Sequence, residues 1–265
     1  MTSVQLPKDF PVADSDSGVG KITLNQLDAP NDQIYTISFN CPPDNRVTPG
    51  LVGTLLKVLD VVEEIAPKTA VLVTTSAIGK FYSNGLNLDK VMQHACPEFQ
   101  SDYWNPLTVR LLTFPIPTIA WMNGHTFAAG FIFAMFHDYR VMSATRGWCC
   151  LNEVETGVEI HPASNSIFRE KLDARTYRTI FLEGKRFTGP EALAAGIVDA
   201  IGDMSDVIKL VKERNLLGRG SKGVYGLLRD EMHRETIGLA ERYQKHGGLQ
   251  RGDNKKAGLP GWSKL

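Results

Sequence analysis

The stretch that most constrains this chain is Thr126–Phe136, eleven uncharged residues closed by His125 on one side and His137 on the other. A membrane-spanning helix needs about 20 apolar residues, so the run predicts a helix enclosed by protein rather than by lipid. Just before it, Thr118-Ile119-Ala120-Trp121-Met122 reads as an apolar strand and Asn123-Gly124 as the turn between the two. A helix that is apolar all round needs cover on every face. The chain has 265 residues, 43% of them hydrophobic and 22% charged, enough to build that cover.

Strands and helices alternate around this segment. Ile34, Thr36 and Ser38 alternate with Tyr35, Ile37 and Phe39, the period of a half-buried strand, and Lys21–Leu24 precedes it across the turn Ala29–Asp32. Thr48 is placed to cap a helix with Pro49 in its first turn. Leu51, Val52, Leu55, Leu56, Leu59 and Val62 give that helix one apolar stripe. Val71–Thr75 predicts a central parallel strand, and Tyr139–Met142 and Trp148–Leu151 predict two more. Thr188 and Glu191 form a capping box for a short helix that Gly196 ends. From Met204 onward the pattern is helical.

The expectation is therefore an α/β fold in four parts. Residues 1–20 form a polar, disordered leader, 21–203 the core, 204–246 a helical region, and 247–265 a flexible glycine-containing tail. That tail ends in Ser263-Lys264-Leu265, the form of a C-terminal peroxisomal address read by an import receptor. It predicts a location in the peroxisomal matrix.

Several function classes lose support. Lys plus Arg and Asp plus Glu number 29 each, so there is no basic excess for nucleic acid. The four cysteines, Cys41, Cys96, Cys149 and Cys150, have no zinc-ligand spacing, and the six histidines form no HExxH, so no metal is expected. GxGxxG, GxSxG and a complete phosphate loop are all absent.

Three segments carry the candidate chemistry. Gly79 to Leu88 follows the central strand, and Gly85 within it allows close approach of backbone to a ligand. Asn123 to Gly130 leads into the buried helix through small residues, aiming free N–H groups at whatever lies before the helix. Cys150 to Gly157 brings carboxylates, Glu153 and Glu155, to a strand end. Two backbone donors and one carboxylate suit a reaction through an enolate: the donors hold the developing oxyanion and the carboxylate moves the neighbouring proton. On the residues alone, a glycine-rich strand–helix turn is more often plain packing and a carboxylate such as Glu153 more often solvated.

Ile37-Ser38-Phe39-Asn40 with Pro42, the Phe-x-Ser-Asn-Gly-x-x-Leu loop, the Asn-Gly-x-x-x-Ala-Ala-Gly helix start, Asp138, and Thr188–Leu193 with Gly196-Ile197-Val198 occur in one order. Over about residues 20–205 the chain resembles the crotonase, or enoyl-CoA hydratase/isomerase, superfamily.

The resemblance implies a spiral of ββα units with a helical C-terminal region that packs trimers or pairs of trimers. It implies an acyl-CoA substrate, the coenzyme A being part of that substrate and no separate cofactor. It maps the oxyanion N–H groups to Asn84 and Ala129, and substrate contacts to Tyr82, Ser83, Asn84, Gly85, Leu86, Asn87, Ile132 and Asn152. Arg46 and Lys80 are candidates for the CoA phosphates. Asn87 departs from the family's usual Asp.

The family's hydratases use two glutamates, and the first falls here on Ile132, which has no proton to move. The second falls on Glu153, within a run that looks most like the isomerase branch. The implied function is Δ3,Δ2-enoyl-CoA isomerisation in fatty-acid β-oxidation with Glu153 as acid and base. Glu155 and Glu159 are runners-up as base, and His161, where the dienoyl isomerase branch has a second acid, is a candidate proton shuttle. The alternatives are a hydratase or other crotonase chemistry on a specialised acyl-CoA, and a non-catalytic CoA-binding homologue.

Overall fold

The computed structural model describes residues 4–15, 18–93 and 96–246. The chain opens with a meander, β1 (Lys8–Pro11), β2 (Lys21–Gln26) and β3 (Ile34–Asn40), in which both pairings are antiparallel. Thr48 then caps α1 (Pro49–Ile65), its hydroxyl accepting the Leu51 N–H at 3.0 Å. Pro49 sits in the first turn, and Leu51, Val52, Leu55, Leu59 and Val62 are buried beneath the helix.

After α1 the chain winds as a spiral. Each turn sends one strand to a large sheet and the next strand to a small one. β4 (Val71–Ser76), β6 (Thr118–Met122) and β8 (Tyr139–Met142) join the large sheet, while β5 (Phe81–Ser83), β7 (His125–Phe127) and β9 (Cys149–Cys150) form the small one. β10 (Ala200–Ile201) closes the large sheet, whose order is β1-β2-β3-β4-β6-β8-β10. From β3 onward its pairings are parallel. β4 is the central strand expected from Val71–Thr75, with all six residues buried. A strand covered on both faces reads as a continuous apolar, β-branched run for that reason.

Helices complete each turn. α2 (Leu88–Gln93), α3 (Cys96–Phe99), a π-helical turn Gln100–Trp104 and α4 (Asn105–Leu112) follow β5. α5 (Ala129–Met135) follows β7, and α6 (Glu153–Thr156), α7 (Pro162–Lys171), α8 (Ala174–Glu183) and α9 (Gly189–Ala194) follow β9. This is the spiral of ββα units that the resemblance implies. The C-terminal helices are α10 (Met204–Glu213), α11 (Tyr225–Met232) and α12 (Arg234–His246). α12 packs on α4 and α7.

Two expectations need correction. Part of the leader is ordered: Lys8–Pro11 adds an edge strand to β2, and Val12 is buried behind it. Pro7 and Pro11 are tolerated because an edge strand leaves some N–H positions without a ladder partner. The buried run is also shorter as a helix than its hydrophobicity implies. All of α5 is buried as expected, but His125–Phe127 is a strand, because it pairs with Phe81–Ser83 on one side and Cys149–Cys150 on the other. Residues 247–265, including Ser263, Lys264 and Leu265, lie outside the described residues.

Candidate active site

The ends of the small sheet and the start of α5 border a cleft of about 230 Å³. It is lined by Ala128, Ala129 and Ile132 of the α5 start and by Asn84 and Leu86 after β5. Asn152 and Glu153 at the start of α6 line it too. The two loops bearing the candidate donors are in contact through Gly85. A Cβ at Gly85 would stand 2.8 Å from the Ala128 Cβ, and its φ of +83° favours glycine in any case.

Ala129 is the first residue of α5, and its N–H has no partner among the described residues. Helix starts leave such donors open. Ala128 turns the chain into this position with φ +51° and ψ −125°, a conformation normally left to glycine. Its N–H donates to the Cys150 oxygen at 3.0 Å, which ties the turn to β9.

The assignment of the other donor to Asn84 does not hold. The Asn84 N–H donates to the Asp44 oxygen at 3.0 Å and is therefore occupied. Two residues on, Val47 bridges Leu86 in parallel fashion: the Val47 N–H donates to Gly85 oxygen at 2.8 Å and the Asn87 N–H to Val47 oxygen at 2.9 Å. In that pattern Leu86 turns its own N–H away from Val47. Among the described residues this N–H has no partner, and Leu86 lines the cleft. Leu86, with Ala129, is the available donor. The sequence motif alone could not separate the two neighbours of Gly85.

Glu153 is the first residue of α6, and its Oε2 is buried with no partner among the described residues. Burial pushes its carboxyl up to about 7, while its own backbone N–H pulls it part of the way back. Ile132, 5% exposed, contributes an apolar surface to the same cleft. Glu159 also lines it but is exposed, and Glu155 is exposed and outside it. His161 lines the cleft and caps α7, its Nδ1 accepting the Ala163 N–H at 3.4 Å. Burial pushes its pKa down to about 4, so it is neutral near pH 7.

Other expected contacts fall elsewhere. Tyr82 is fully buried and its hydroxyl bonds the Thr74 hydroxyl at 2.8 Å, which makes it a core residue. Ser83 is buried, its Oγ donating to Asn45 oxygen at 2.8 Å. Asn87 immediately precedes α2, where its Oδ1 accepts the Lys90 N–H at 3.1 Å. Lys80 is exposed, over the Phe81 ring and away from the cleft lining.

The wall that sequence reasoning missed is the π-helical turn. Gln100 and Trp104 both face the cleft, and the Trp104 Nε1 donates to Ser164 Oγ at 3.0 Å, pinning this wall to α7. Phe99, just before the turn, lines the cleft too. π-Turns are rare and cluster at functional sites, but they leave no periodic signal to read.

Residues 29–247 match the sequence profile of the family described as enoyl-CoA hydratase/isomerase, and the chain belongs to that family. Enoyl-CoA delta isomerase 2, peroxisomal, of Arabidopsis thaliana is 29% identical over 219 residues, which covers 78% of this chain and 91% of the relative. Enoyl-CoA delta isomerase 3 of the same plant is 32% identical over 178 residues, 63% of this chain and 72% of that one. Among solved structures, human mitochondrial Δ3-Δ2-enoyl-CoA isomerase has a TM-score of 0.70 at 19% identity, covering 86% of this chain and 92% of its own. An enoyl-CoA hydratase from Mycobacterium marinum has a TM-score of 0.73 at 21% identity, covering 87% and 99%. One fold thus serves proteins named for both reactions, and the cleft residues must discriminate.

Proposed function

We propose that this protein is a Δ3,Δ2-enoyl-CoA isomerase that moves a 3-enoyl-CoA double bond to the 2-trans position in peroxisomal β-oxidation. The observation that carries this reading is one carboxylate oxygen, Glu153 Oε2, buried with no partner among the described residues in the cleft that Ile132 also lines. Hydration must place a water and move its protons, which the family does with two glutamates; isomerisation needs one group that first takes a proton and then returns it. Glu153 removes a proton from C2 of the 3-enoyl thioester. The N–H groups of Leu86 and Ala129 hold the thioester oxygen as the dienolate forms. The protonated Glu153 then delivers its proton to C4. A carboxyl near pKa 7 suits both halves of that cycle, since neither proton transfer is far uphill. His161, neutral and engaged with α7, has no assigned part.

The names of the Arabidopsis relatives support the same reaction. Peroxisomal location rests on Ser263-Lys264-Leu265 together with one relative's printed name. Deleting that tripeptide from a fluorescent fusion should leave the fusion cytosolic. Assembly into trimers is proposed from α11, which exposes Leu227 at 68%, Leu228 at 66% and Met232 at 61%. Incubating the purified protein with a 3-enoyl-CoA and following 2-enoyl-CoA formation tests the reaction. The reading fails if hydration of 2-enoyl-CoA is the faster reaction.

A further inference from the structure

We propose that Arg46 is a positioning residue for the oxyanion site, fixing the direction of the Leu86 N–H instead of anchoring the CoA phosphates. The guanidinium is already engaged on two sides. Its Nε donates to Asp44 Oδ2 at 3.1 Å, and its Nη1 donates to the Leu86 oxygen at 3.2 Å. Asp44, with a side chain only 12% exposed, is held in turn by Asn84: the Asn84 Nδ2 donates to Oδ2 at 2.6 Å and the Asn84 N–H to the Asp44 oxygen at 3.0 Å. With the Val47 bridge, residues 44–47 therefore run as a strap beside residues 84–87.

The donor needs such a strap. Its peptide follows Gly85, the residue type with the widest backbone freedom, at φ +83°. Val47 N–H fixes the Gly85 oxygen, the opposite end of the peptide that carries the Leu86 N–H. Arg46 fixes the next carbonyl, so residue 86 is held from both sides. The Asp44 carboxylate neutralises the guanidinium, which leaves it a weaker attractor for a phosphate than a free cation. An oxyanion donor must be aimed within a fraction of an ångström, and misplacement by about 1 Å costs roughly 10²-fold.

The proposal rests on the isomerase reading only for the reaction used to observe it. The experiment compares wild type, Arg46→Met and Arg46→Lys on a 3-enoyl-CoA and on the same acyl group carried by N-acetylcysteamine, which has no nucleotide. Arg46→Met should lower kcat about tenfold on both thioesters, with KM for the CoA ester moving less than about threefold. Arg46→Lys should rescue little, since one ammonium cannot direct two N–H bonds to Asp44 and Leu86 together. A rise in KM for the CoA ester alone, with kcat and the truncated ester unaffected, would make Arg46 a phosphate anchor and overturn the proposal.

A second readout needs no turnover. Acetoacetyl-CoA bound at two oxyanion donors shifts toward its enolate, which is seen by ultraviolet absorbance. Arg46→Met should reduce the bound enolate-to-keto ratio about tenfold, and an unchanged ratio overturns the proposal. If the wild type fails to isomerise yet the enolate signal falls in the variant, the isomerase reading is wrong and the brace stands. Should Arg46→Met not fold, Asn84→Ala, which removes the carboxamide bond to Asp44 as well as a cleft-lining side chain, carries the test through the bound enolate-to-keto ratio, with an expected loss of about threefold.

Discussion

The two ends of α5 are built in opposite ways. At its C-terminal end, three basic side chains meet the last carbonyls, although burial pushes the Lys171 amine well down from its ordinary value. Lys171 Nζ donates to Met135 and His137 oxygens at 2.7 and 2.6 Å, Arg140 Nη1 to His137 oxygen at 3.0 Å, and Arg229 Nη2 to Phe136 oxygen at 3.4 Å. Asp138 pairs with Arg229 at 2.7 Å and Asp199 with Arg140 at 3.5 Å. Cations at a helix C-terminus also complement its dipole. At the N-terminal end the Ala129 N–H is open, and the cleft beside it holds two buried oxygens with no partner among the described residues, Glu153 Oε2 and Gln100 Oε1. Burying a polar atom unpaired is costly. One seven-residue helix is thus closed where it joins the core and left open where a ligand has to be met.

The comparison breaks most visibly at Glu153. Glu153→Gln keeps the shape of the cleft and removes the group that moves the proton, so isomerisation should fall by up to about 10⁴-fold while CoA-thioester binding survives. A steady-state assay with a 3-enoyl-CoA measures this, and a loss below tenfold would exclude Glu153 as the acid and base. At the other end the expected loss is in stability. Arg229→Met removes the charge partner of Asp138 and leaves a carboxylate 8% exposed in the interior, with hydrogen bonds from Thr118 and Tyr225 but no counter-charge from residue 229. Breaking a buried pair in this way costs about 3–5 kcal/mol, read as a shift in urea midpoint. A change below about 1 kcal/mol would mean that pairing does not secure this end.

How much of this was legible follows the same division. The large sheet was readable from short apolar runs rich in β-branched residues, as in Val71–Thr75. The half-buried alternation expected of Ile34–Phe39 does not hold, since Ile34, Tyr35, Thr36 and Ile37 are all buried. α1 was readable from Thr48, Pro49 and its stripe. The spiral itself left no internal repeat, because its turns differ in length: β4, β6 and β8 start at residues 71, 118 and 139. β7 was hidden inside the apolar run, since burial on all sides erases the difference between strand and helix periods. At the site, Ala129, Ile132, Asn152 and Glu153 do meet in one cleft. What failed was direction. Whether Asn84 or Leu86 offers its N–H depends on which peptide Val47 and Asp44 occupy, and those are contacts some 40 residues away in sequence. Tyr82 fell inside because strand pairing of β5 sends it to Thr74 rather than to the cleft.

A smaller effect joins the open end to pH. The Glu153 carboxyl lies at about 7 in the fold against 4.5 for the free group. A folded pKa above the unfolded value means that the native state binds the proton more tightly. Its contribution to stability is therefore complete below about pH 4.5 and lost as pH rises through about 7. Between pH 5 and pH 8 the wild type should lose roughly 1–3 kcal/mol relative to Glu153→Gln, whose carboxamide does not titrate. Activity should run the other way, with kcat/KM rising through about pH 7 as the carboxylate forms. Parallel stability curves for the two proteins would place the carboxyl in solvent.

Gln100 offers the finest test of the contrast. Its Oε1 is buried beside the cleft with no partner among the described residues, on a wall otherwise supplied by Phe99 and Trp104. Methionine has nearly the same length and volume, and it asks for no hydrogen bond. If the oxygen is unsatisfied in the free enzyme, Gln100→Met should raise stability by about 1 kcal/mol, a Tm increase of roughly 2–4 °C for a domain of this size. The same exchange at Thr74 should act in the opposite sense, because its hydroxyl bonds both Tyr82 and His137, at 2.8 and 2.9 Å. Thr74→Val would leave those two buried groups without their partner, at a cost of about 1–3 kcal/mol. An unchanged Tm in Gln100→Met would show that an ordered water already answers Oε1 and that the open end is wet before any ligand arrives. The orphan oxygen would then mark a solvent position that an acyl chain must displace, and the variant's effect would move from stability to KM.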